Sequence, residues 1–303
     1  MASRICCDIM AVNKEQIHDR NQSFTGITTE KKDVIDVVVL GDSESYTSVS
    51  PMKLWQDTGI SAYVCGQSGQ KIQETYYMLK TALKNQSPKV VILETNTLFR
   101  QQGTIKDVQT SIGELANYYF PVFRYHNSWK LLLKEKEVPQ KDYKGFSIRE
   151  AVNSYDGGEY MNETDAKEEI PLFVRIYMDK IQKICKEREI ELLLVSAPSP
   201  MNYNYQKHNA IAEYAKEKGL SYLDLNLKKE LGMNWKVDSM DKGDHLNLSG
   251  AHKVTAYLGT YLKEQYQLSD HRSEEQYQEW NTLAVSYKEE TEEAIKKIRK
   301  EDA

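Results

Sequence analysis

The chain has 303 residues, of which 40% are apolar and 28% are charged, so it is long enough for one large α/β domain or for a domain with a sizeable insertion. The net charge is −5 and the basic residues are spread along the whole length, which gives no electrostatic reason to expect a nucleic-acid partner. The sequence contains no stretch approaching the ~20 apolar residues that span a bilayer.

The N-terminus and the cysteines bear on the compartment in which the protein works. Residues 1–12 include Arg4 but lack the apolar run of a secretory signal peptide. We therefore expect either a cytoplasmic protein or a cell-surface protein whose export or tethering segment is absent from this chain. Cys65 and Cys185 lie in apolar segments and are predicted to be buried thiols, and the four cysteines lack the CxxC spacing of a zinc or redox site.

The first part of the chain predicts strands that alternate with a helix. After a loosely packed, polar lead-in over residues 1–32, residues 34–40 (VIDVVVL) predict a strand buried on both faces. A shorter strand is predicted at 61–64. Residues 70–85 then place apolar side chains on one helical face, and residues 89–93 (KVVIL) predict a third strand. This alternation is typical of a parallel sheet covered by helices.

The later part of the chain repeats this pattern after an interruption. Residues 97–169 are rich in aromatic and then in polar residues, and we interpret them as an insertion over the active edge of the sheet. The fold prediction is a three-layer α/β/α, flavodoxin-like domain over residues 33–267, with a parallel sheet of about five strands. Residues 268–303 are charge-rich and predict a solvated helical tail. The resumed helices and strands are predicted at 172–188, 190–195, 209–218, 220–225 and 249–265.

Gly41-Asp42-Ser43 directly follows the first predicted strand. In open α/β sheets the reactive groups gather at the carboxyl ends of the strands, and a glycine permits the tight turn that presents a serine hydroxyl to a cleft. Ser43 is therefore a candidate nucleophile, although the same residues taken alone also suit a turn or a helix cap. Residues 196–200 (SAPSP) follow a later strand and predict a rigid loop at the same edge.

A second segment, residues 241–247 (DKGDHLN), precedes the last predicted core helix. A serine nucleophile needs a base within hydrogen-bond reach, and the base needs a carboxylate that fixes its tautomer. His245 supplies the base, and Asp241 and Asp244 are both candidates for the carboxylate. We favour Asp241, because adjacent residues of an extended loop point in opposite directions. Asp244 is then expected to cap the following helix or to bind loop amides.

The two segments together resemble the SGNH/GDSL hydrolase family. The resemblance is carried by the strand and Gly-Asp-Ser at residues 41–43, and by the late segment with His-Leu-Asn at 245–247 and Gly-Ala at 250–251. It covers the framework from about residue 34 to 265, without the insertion at 97–169, and is greatest to the cell-surface branch that is linked to acylation of envelope polysaccharides. The resemblance implies a flavodoxin-like fold and ester chemistry at Ser43.

The resemblance also implies an oxyanion hole and a substrate-binding groove. In the family, a glycine after the second strand and an asparagine after the third donate to the oxyanion. The matching positions here are Gly69 and Asn96, with the backbone N–H of Ser43 as a third donor. Residues 94–97 read Glu-Thr-Asn-Thr where the family has Gly-x-Asn-Asp, so this chain departs from the pattern there. A segment that resembles part of the surface branch contains the candidate substrate-binding residues Arg124, His126 and Trp129.

From this resemblance we expect a serine-dependent ester hydrolase or O-acyltransferase that acts on acyl esters, above all acetyl esters, of a cell-surface glycan. The expected ligand is an acylated carbohydrate or a small ester, a membrane-bound acyltransferase is an expected partner, and no cofactor or metal is expected. The 20 tyrosines suit a sugar-facing groove but also ordinary packing. Two alternatives stay open: a lipase- or thioesterase-like hydrolase of small esters, and a catalytically silent binding or scaffold protein on the same fold.

Overall fold

The computed structural model describes residues 22–124 and 141–300, and its centre is a sheet of five parallel strands. Their bounds are β1 Val37–Gly41, β2 Ala62–Gly66, β3 Val90–Glu94, β4 Glu191–Ser196 and β5 Ser221–Asp224. The order across the sheet is β2-β1-β3-β4-β5. This is the flavodoxin-like order, in which the direction of the connections reverses between β1 and β3. The predicted fold class is confirmed.

Helices fill the connections between the strands and continue after the last strand. Their bounds are α1 Gln22–Thr29, α2 Ser43–Ser48, α3 Pro51–Thr58, α4 Ile72–Ala82, α5 Thr104–Tyr119, α6 Pro121–Arg124, α7 Leu172–Glu187, α8 Tyr205–Lys218, α9 Leu248–Tyr266 and α10 Gln278–Lys300. In the two described ranges, none of these helices has the length and apolar character needed to cross a membrane.

The sheet separates two apolar cores, because successive side chains of a strand point to opposite faces. Val38 of β1 belongs to the core formed with α1, α4, α7 and α8, whereas Val39 belongs to the core formed with α3 and α9. Every residue of β1 is buried. Cys65 and Cys185 are buried free thiols, as predicted. The result is the predicted arrangement of helices on both faces of a parallel sheet.

The first strand is shorter than predicted. It begins at Val37 rather than at residue 34. The backbone N–H groups of Val34 and Ile35 donate to the side-chain oxygen of Gln86, at 3.1 and 3.2 Å. The side chain of Gln86 therefore binds Val34 and Ile35, the first two residues of the strand that the apolar run predicted.

The segments on either side of the central domain pack against it more closely than predicted. In α1, Phe24 and Ile27 are buried in the core. In α10, Trp280 and Tyr287 are buried, and the ring of Trp280 lies 5.2 Å from that of Trp55 in α3. The prediction of a loose lead-in was therefore wrong for α1, and that of a solvated tail was wrong for one face of α10. Both helices carry an apolar stripe that needs a partner surface.

Residues 141–155 cross from β2 to the segment that precedes α9. The carbonyl of Lys144 accepts the N–H of Val64 in β2 at 2.9 Å. Farther along, the carbonyl of Asn153 accepts the N–H of Lys242 at 3.0 Å. This part of the predicted insertion thus supports the loop that carries His245.

Candidate active site

Ser43 is the first residue of α2 and lies two residues beyond the end of β1. It is 8% exposed. The carboxyl group of Asp42 caps the helix by accepting the backbone N–H of Glu44 at 3.0 Å. Because β1 lies where the connections reverse direction, Ser43 is at the topological switch point, the place where open α/β sheets form their binding clefts.

The loop before α9 folds back on itself and presents His245. Ser239 and Leu246 form an antiparallel bridge. Gly243, with φ of +89°, allows the chain to reverse between them. The side-chain oxygen of Asn247 then accepts two N–H groups in the first turn of α9. The imidazole is therefore held at the end of a closed turn.

Ser43, His245 and Asp241 form a continuous chain of hydrogen bonds. Nε2 of His245 lies 2.8 Å from Oγ of Ser43, and Nδ1 lies 2.7 Å from Oδ2 of Asp241. The other oxygen of Asp241 accepts the backbone N–H of His245 at 2.6 Å. The two contacts from one carboxyl group hold the ring in the orientation that directs Nε2 at the hydroxyl. The structure thus brings the predicted nucleophile, base and favoured acid together.

Asp244 has a different set of contacts. Its nearer carboxyl oxygen lies 3.6 Å from Nδ1 of His245, beyond ordinary hydrogen-bond distance. Its other oxygen accepts a hydrogen from the amide of Asn202 at 2.6 Å. Of the two roles expected for Asp244, capping of the following helix was wrong, because Asn247 does so. The contact with the side-chain amide of Asn202, in the loop after β4, agrees with the other expected role, binding of loop amides.

The candidate oxyanion donors lie on the loops after β2 and β3. Gly69 has φ of +59°, and a side-chain carbon there would meet no atom within 4 Å, so this turn borders open space. Nδ2 of Asn96 donates one hydrogen to Oδ2 of Asp42 at 3.1 Å. Gly66, at the end of β2, was not among the predicted site residues, but any side-chain carbon there would collide with Oγ of Ser45. Gly66 therefore allows α2 to approach the end of β2.

Three buried carboxyl groups lie behind Ser43. Asp42 accepts from Nε of Arg100. Burial and the neighbouring Asp42 raise the pKa of Glu44 well above its usual value. The same two causes raise the pKa of Glu94 to about 8, even though the hydroxyl of Tyr203 donates to it. The back of the site is therefore a compact acidic cluster with one guanidinium beside it.

The sequence offered weak signals for this cluster. Glu44 directly follows the candidate nucleophile, and Glu94 ends a buried strand at the position where the family pattern has glycine. A charged residue at the end of a buried strand is unusual enough to suggest a partner. Nothing in the sequence spacing linked Arg100 to Asp42.

A metal ion has one candidate set of ligands in the described residues. The ligand atoms of Glu44, Asp244 and His245 lie within 4.8 Å of one another. Both ring nitrogens of His245 are already engaged, by Ser43 and by Asp241. A metal bound there would have to break the hydrogen-bond chain.

Of the three candidate substrate-binding residues, the structure describes Arg124. The guanidinium of Arg124 donates to Glu114 at 2.5 Å and lies 3.6 Å from the centre of the Phe24 ring. With 7% of its side chain exposed, Arg124 is a packing residue between α1 and α5. This corrects the expectation that it lines an open groove. His126 and Trp129 lie outside the described residues.

The strand order and the Ser-His-Asp arrangement define an α/β protein whose site has the geometry of a serine hydrolase triad. No family model and no curated protein matches the chain. It is similar to a solved GDSL-like lipase from Bacteroides thetaiotaomicron VPI-5482, with 12% identity, a TM-score of 0.42 and coverage of 83% of this chain and 99% of that one.

A second similar structure is an acetyl xylan esterase from the rumen bacterium Butyrivibrio proteoclasticus, with 14% identity, a TM-score of 0.35 and coverage of 78% of this chain and 64% of that one. With both TM-scores below 0.5, neither similarity carries weight for function. The fold class follows from the sheet order itself, and the contacts of Ser43, His245 and Asp241 are the evidence for function.

Proposed function

We propose that the protein is a serine-dependent ester hydrolase or O-acyltransferase that acts on acetyl or other acyl esters of a cell-surface glycan. The observation that carries this proposal is the hydrogen-bond chain from Asp241 through His245 to Ser43, with distances of 2.7 and 2.8 Å. In this arrangement the Nδ1–H of His245 donates to Asp241. The lone pair of Nε2 is therefore free to accept the proton of the Ser43 hydroxyl.

The first half of the reaction transfers the acyl group to the protein. Oγ of Ser43 attacks the carbonyl carbon of the ester, and its proton passes to Nε2 of His245. The backbone N–H groups of Ser43 and Gly69 then meet the negative charge on the carbonyl oxygen. The second amide hydrogen of Asn96 completes the hole, since its first is donated to Asp42. When the intermediate collapses, His245 gives its proton to the departing alcohol oxygen.

The second half of the reaction releases the acyl group. Water, or a sugar hydroxyl in a transferase, loses its proton to His245 and attacks the acyl carbon on Ser43. The oxyanion forms again in the same hole, and Oγ leaves with the proton that His245 returns. Asp241 keeps the ring oriented throughout, because its second oxygen is bound to the backbone of the same residue.

The glycan part of the proposal draws on a cavity of about 680 Å³ beside the loop after β2. Neither Ser43 nor His245 is among the residues that line it, so this cavity would hold a part of the ligand away from the reacting ester. It is large enough for a sugar unit or a small acylated saccharide. Its walls combine aromatic rings with charged and amide side chains, which suits a ligand that presents both apolar ring faces and hydroxyl groups. The lining residues include Tyr46, Gln67, Ser68, Tyr143, Phe146 and Arg149.

A cell-surface location and a membrane-bound acyltransferase partner belong to the same proposal and are supported by the sequence resemblance alone. In that arrangement the partner supplies the acyl group and this protein transfers or removes it.

A fluorophosphonate probe tests the chemistry directly. We expect it to label the purified protein at Ser43 and to leave Ser43→Ala unlabelled. Acetate release is then measured from an O-acetylated oligosaccharide and compared with release from p-nitrophenyl esters of increasing chain length. Preference for the acetylated oligosaccharide supports the proposal, whereas activity on long-chain esters alone would indicate the lipase-like alternative. A folded protein that is neither labelled nor active would be a silent scaffold.

A further inference from the structure

The loop after β4 holds the backbone of the histidine loop. The N–H of Met201 donates to the carbonyl of Gly243 at 3.1 Å. The hydroxyl of Ser199 donates to the carbonyl of Asp244 at 2.8 Å. These contacts involve main-chain oxygens of the turn, so they fix its position without regard to the side chains that it carries.

Asn202, in the same loop, makes a different kind of contact. Its side-chain amide donates to Oδ1 of Asp244 at 2.6 Å and also to Oε1 of Glu44. Glu44 is fully buried, and within the described residues its second oxygen has no hydrogen-bond partner. The amide therefore lies between two carboxyl groups that would otherwise face each other.

The position of this amide bears on the choice of acid for His245. Nδ1 of His245 lies 2.7 Å from Asp241 but 3.6 Å from Asp244. Both aspartates are thus near the same ring nitrogen, and only one is within hydrogen-bond distance. The side chain of Asp244 is 46% exposed, so packing alone does not keep it from the imidazole.

We propose that Asn202 is a positioning residue that selects the triad acid: its amide holds Asp244 beside Glu44, so that Asp241 alone accepts the Nδ1–H of His245. The amide binds two of the three residues, Glu44 and Asp244, whose ligand atoms lie within 4.8 Å of one another and of those of His245. Its two hydrogens meet the carboxyl oxygens of two different chain segments. The nucleophile helix and the base loop are joined at the same point.

This inference rests on the proposed function and is tested by a double-mutant cycle of Asn202→Ala with Asp241→Asn. In the native background, Asp241→Asn is expected to lower kcat on p-nitrophenyl acetate more than about 100-fold, because the imidazole loses its partner. With Asn202→Ala present, Asp244 can turn to the ring, and the same change is expected to cost less than about 10-fold. Equal losses in the two backgrounds would overturn the proposal.

Matched variants separate positioning from folding. Asn209→Ala removes an exposed amide of α8 that donates to the carbonyls of Thr164 and Ala166, and it should leave the loss caused by Asp241→Asn unchanged. If Asn202→Ala does not fold, Asn202→Ser replaces it in the cycle, with the same direction expected. KM should stay constant across the cycle, because Asn202 acts through Asp244 and not on the substrate.

The Nδ1–H proton resonance of His245 gives a readout that does not require turnover. It is assigned by its loss in His245→Gln. We expect it in the native protein, expect it to vanish in Asp241→Asn and expect it to return in the double variant. If the resonance follows this pattern while no Ser43-dependent hydrolysis is found, the proposed function fails and the role of Asn202 stands. A resonance that stays absent in the double variant would overturn that role.

Discussion

Carboxyl groups flank Ser43 on two sides, and their surroundings differ sharply. On the side of His245, the side chains of Asp241 and Asp244 are 35% and 46% exposed. On the side of β3, Asp42 is fully buried and Glu94 is 3% exposed. Glu44 is also fully buried and lies between the two groups, within 4.8 Å of Asp244 and His245. Burial and mutual repulsion raise the pKa of both glutamates.

A carboxyl group near Ser43 can therefore have a catalytic or a structural role, and its surroundings decide which. The exposed side has a loop that closes on itself and carries His245. On the buried side, hydrogen bonds from Asn96, Arg100 and Tyr203 engage the carboxyl groups of Asp42 and Glu94. The first side is organised for proton transfer, and the second supports the turn that carries Ser43.

The largest effect on activity is expected from a substitution of Ser43, which lies between the two groups of carboxyls. Ser43→Ala should lower the rate of p-nitrophenyl acetate hydrolysis by at least about 10⁴-fold while the melting temperature stays within a few degrees of the native value, because the attacking oxygen is lost. Ser45→Ala, two residues along α2, is the matched control and should cost less than about 10-fold. An unchanged rate in Ser43→Ala would remove Ser43 from the mechanism.

The two exposed aspartates should differ from each other. Asp241→Asn is expected to reduce turnover more than about 100-fold, since the wrong tautomer of His245 is then populated. Asp244→Asn is expected to reduce it less than about 10-fold, because its carboxyl group is 3.6 Å from the ring. The steady-state kcat of both variants tests this ranking. A larger loss of turnover in Asp244→Asn would identify Asp244 as the triad acid.

On the buried side, a substitution should lower the free energy of unfolding. Arg100→Met leaves Asp42 buried without its cation and should lower the free energy of unfolding by about 2 kcal/mol. This value is smaller than the cost of breaking a fully buried ion pair, because Arg100 is partly exposed. Arg272→Met breaks an exposed pair with Asp270 and should cost less than about 1 kcal/mol. Urea titration measures both, and equal losses would show that burial of Asp42 is irrelevant.

The pH dependence of the free energy of unfolding should change at Glu94. The folded protein keeps its proton up to a pKa of about 8, whereas the unfolded chain releases it near 4.5. Between these values the folded state binds more protons, so raising the pH favours unfolding. Glu94→Gln should remove up to about 1.4 kcal/mol per pH unit of this slope. Glu213→Gln is the control, because this exposed carboxyl group pairs with Lys167, which lowers its pKa, and it is ionised in both states over this range. An unchanged slope in Glu94→Gln would contradict the assignment.

The sequence by itself determined the parallel sheet and its site-bearing edge. Runs such as residues 90–93 are apolar throughout, as strands buried on both faces require. The predicted strands lie within a residue or two of the observed ones, except that β1 begins three residues later than predicted. Gly-Asp-Ser at 41–43 and the late His-Leu-Asn were sufficient to indicate that Ser43 and His245 meet, because Ser43 follows the end of a buried strand and the two segments together resemble the SGNH/GDSL pattern.

Only the tertiary structure decided which groups surround that pair. The contacts of Asp42 with Arg100, and of Asn202 with Glu44, join residues 58 and 158 positions apart, and no periodicity in the sequence reports them. The same holds for α10, whose Trp280 packs against Trp55 although its composition predicted a solvated helix. Local patterns predict elements because backbone geometry repeats every two or 3.6 residues. The partners of a buried polar or aromatic side chain are set by the packing of the whole chain.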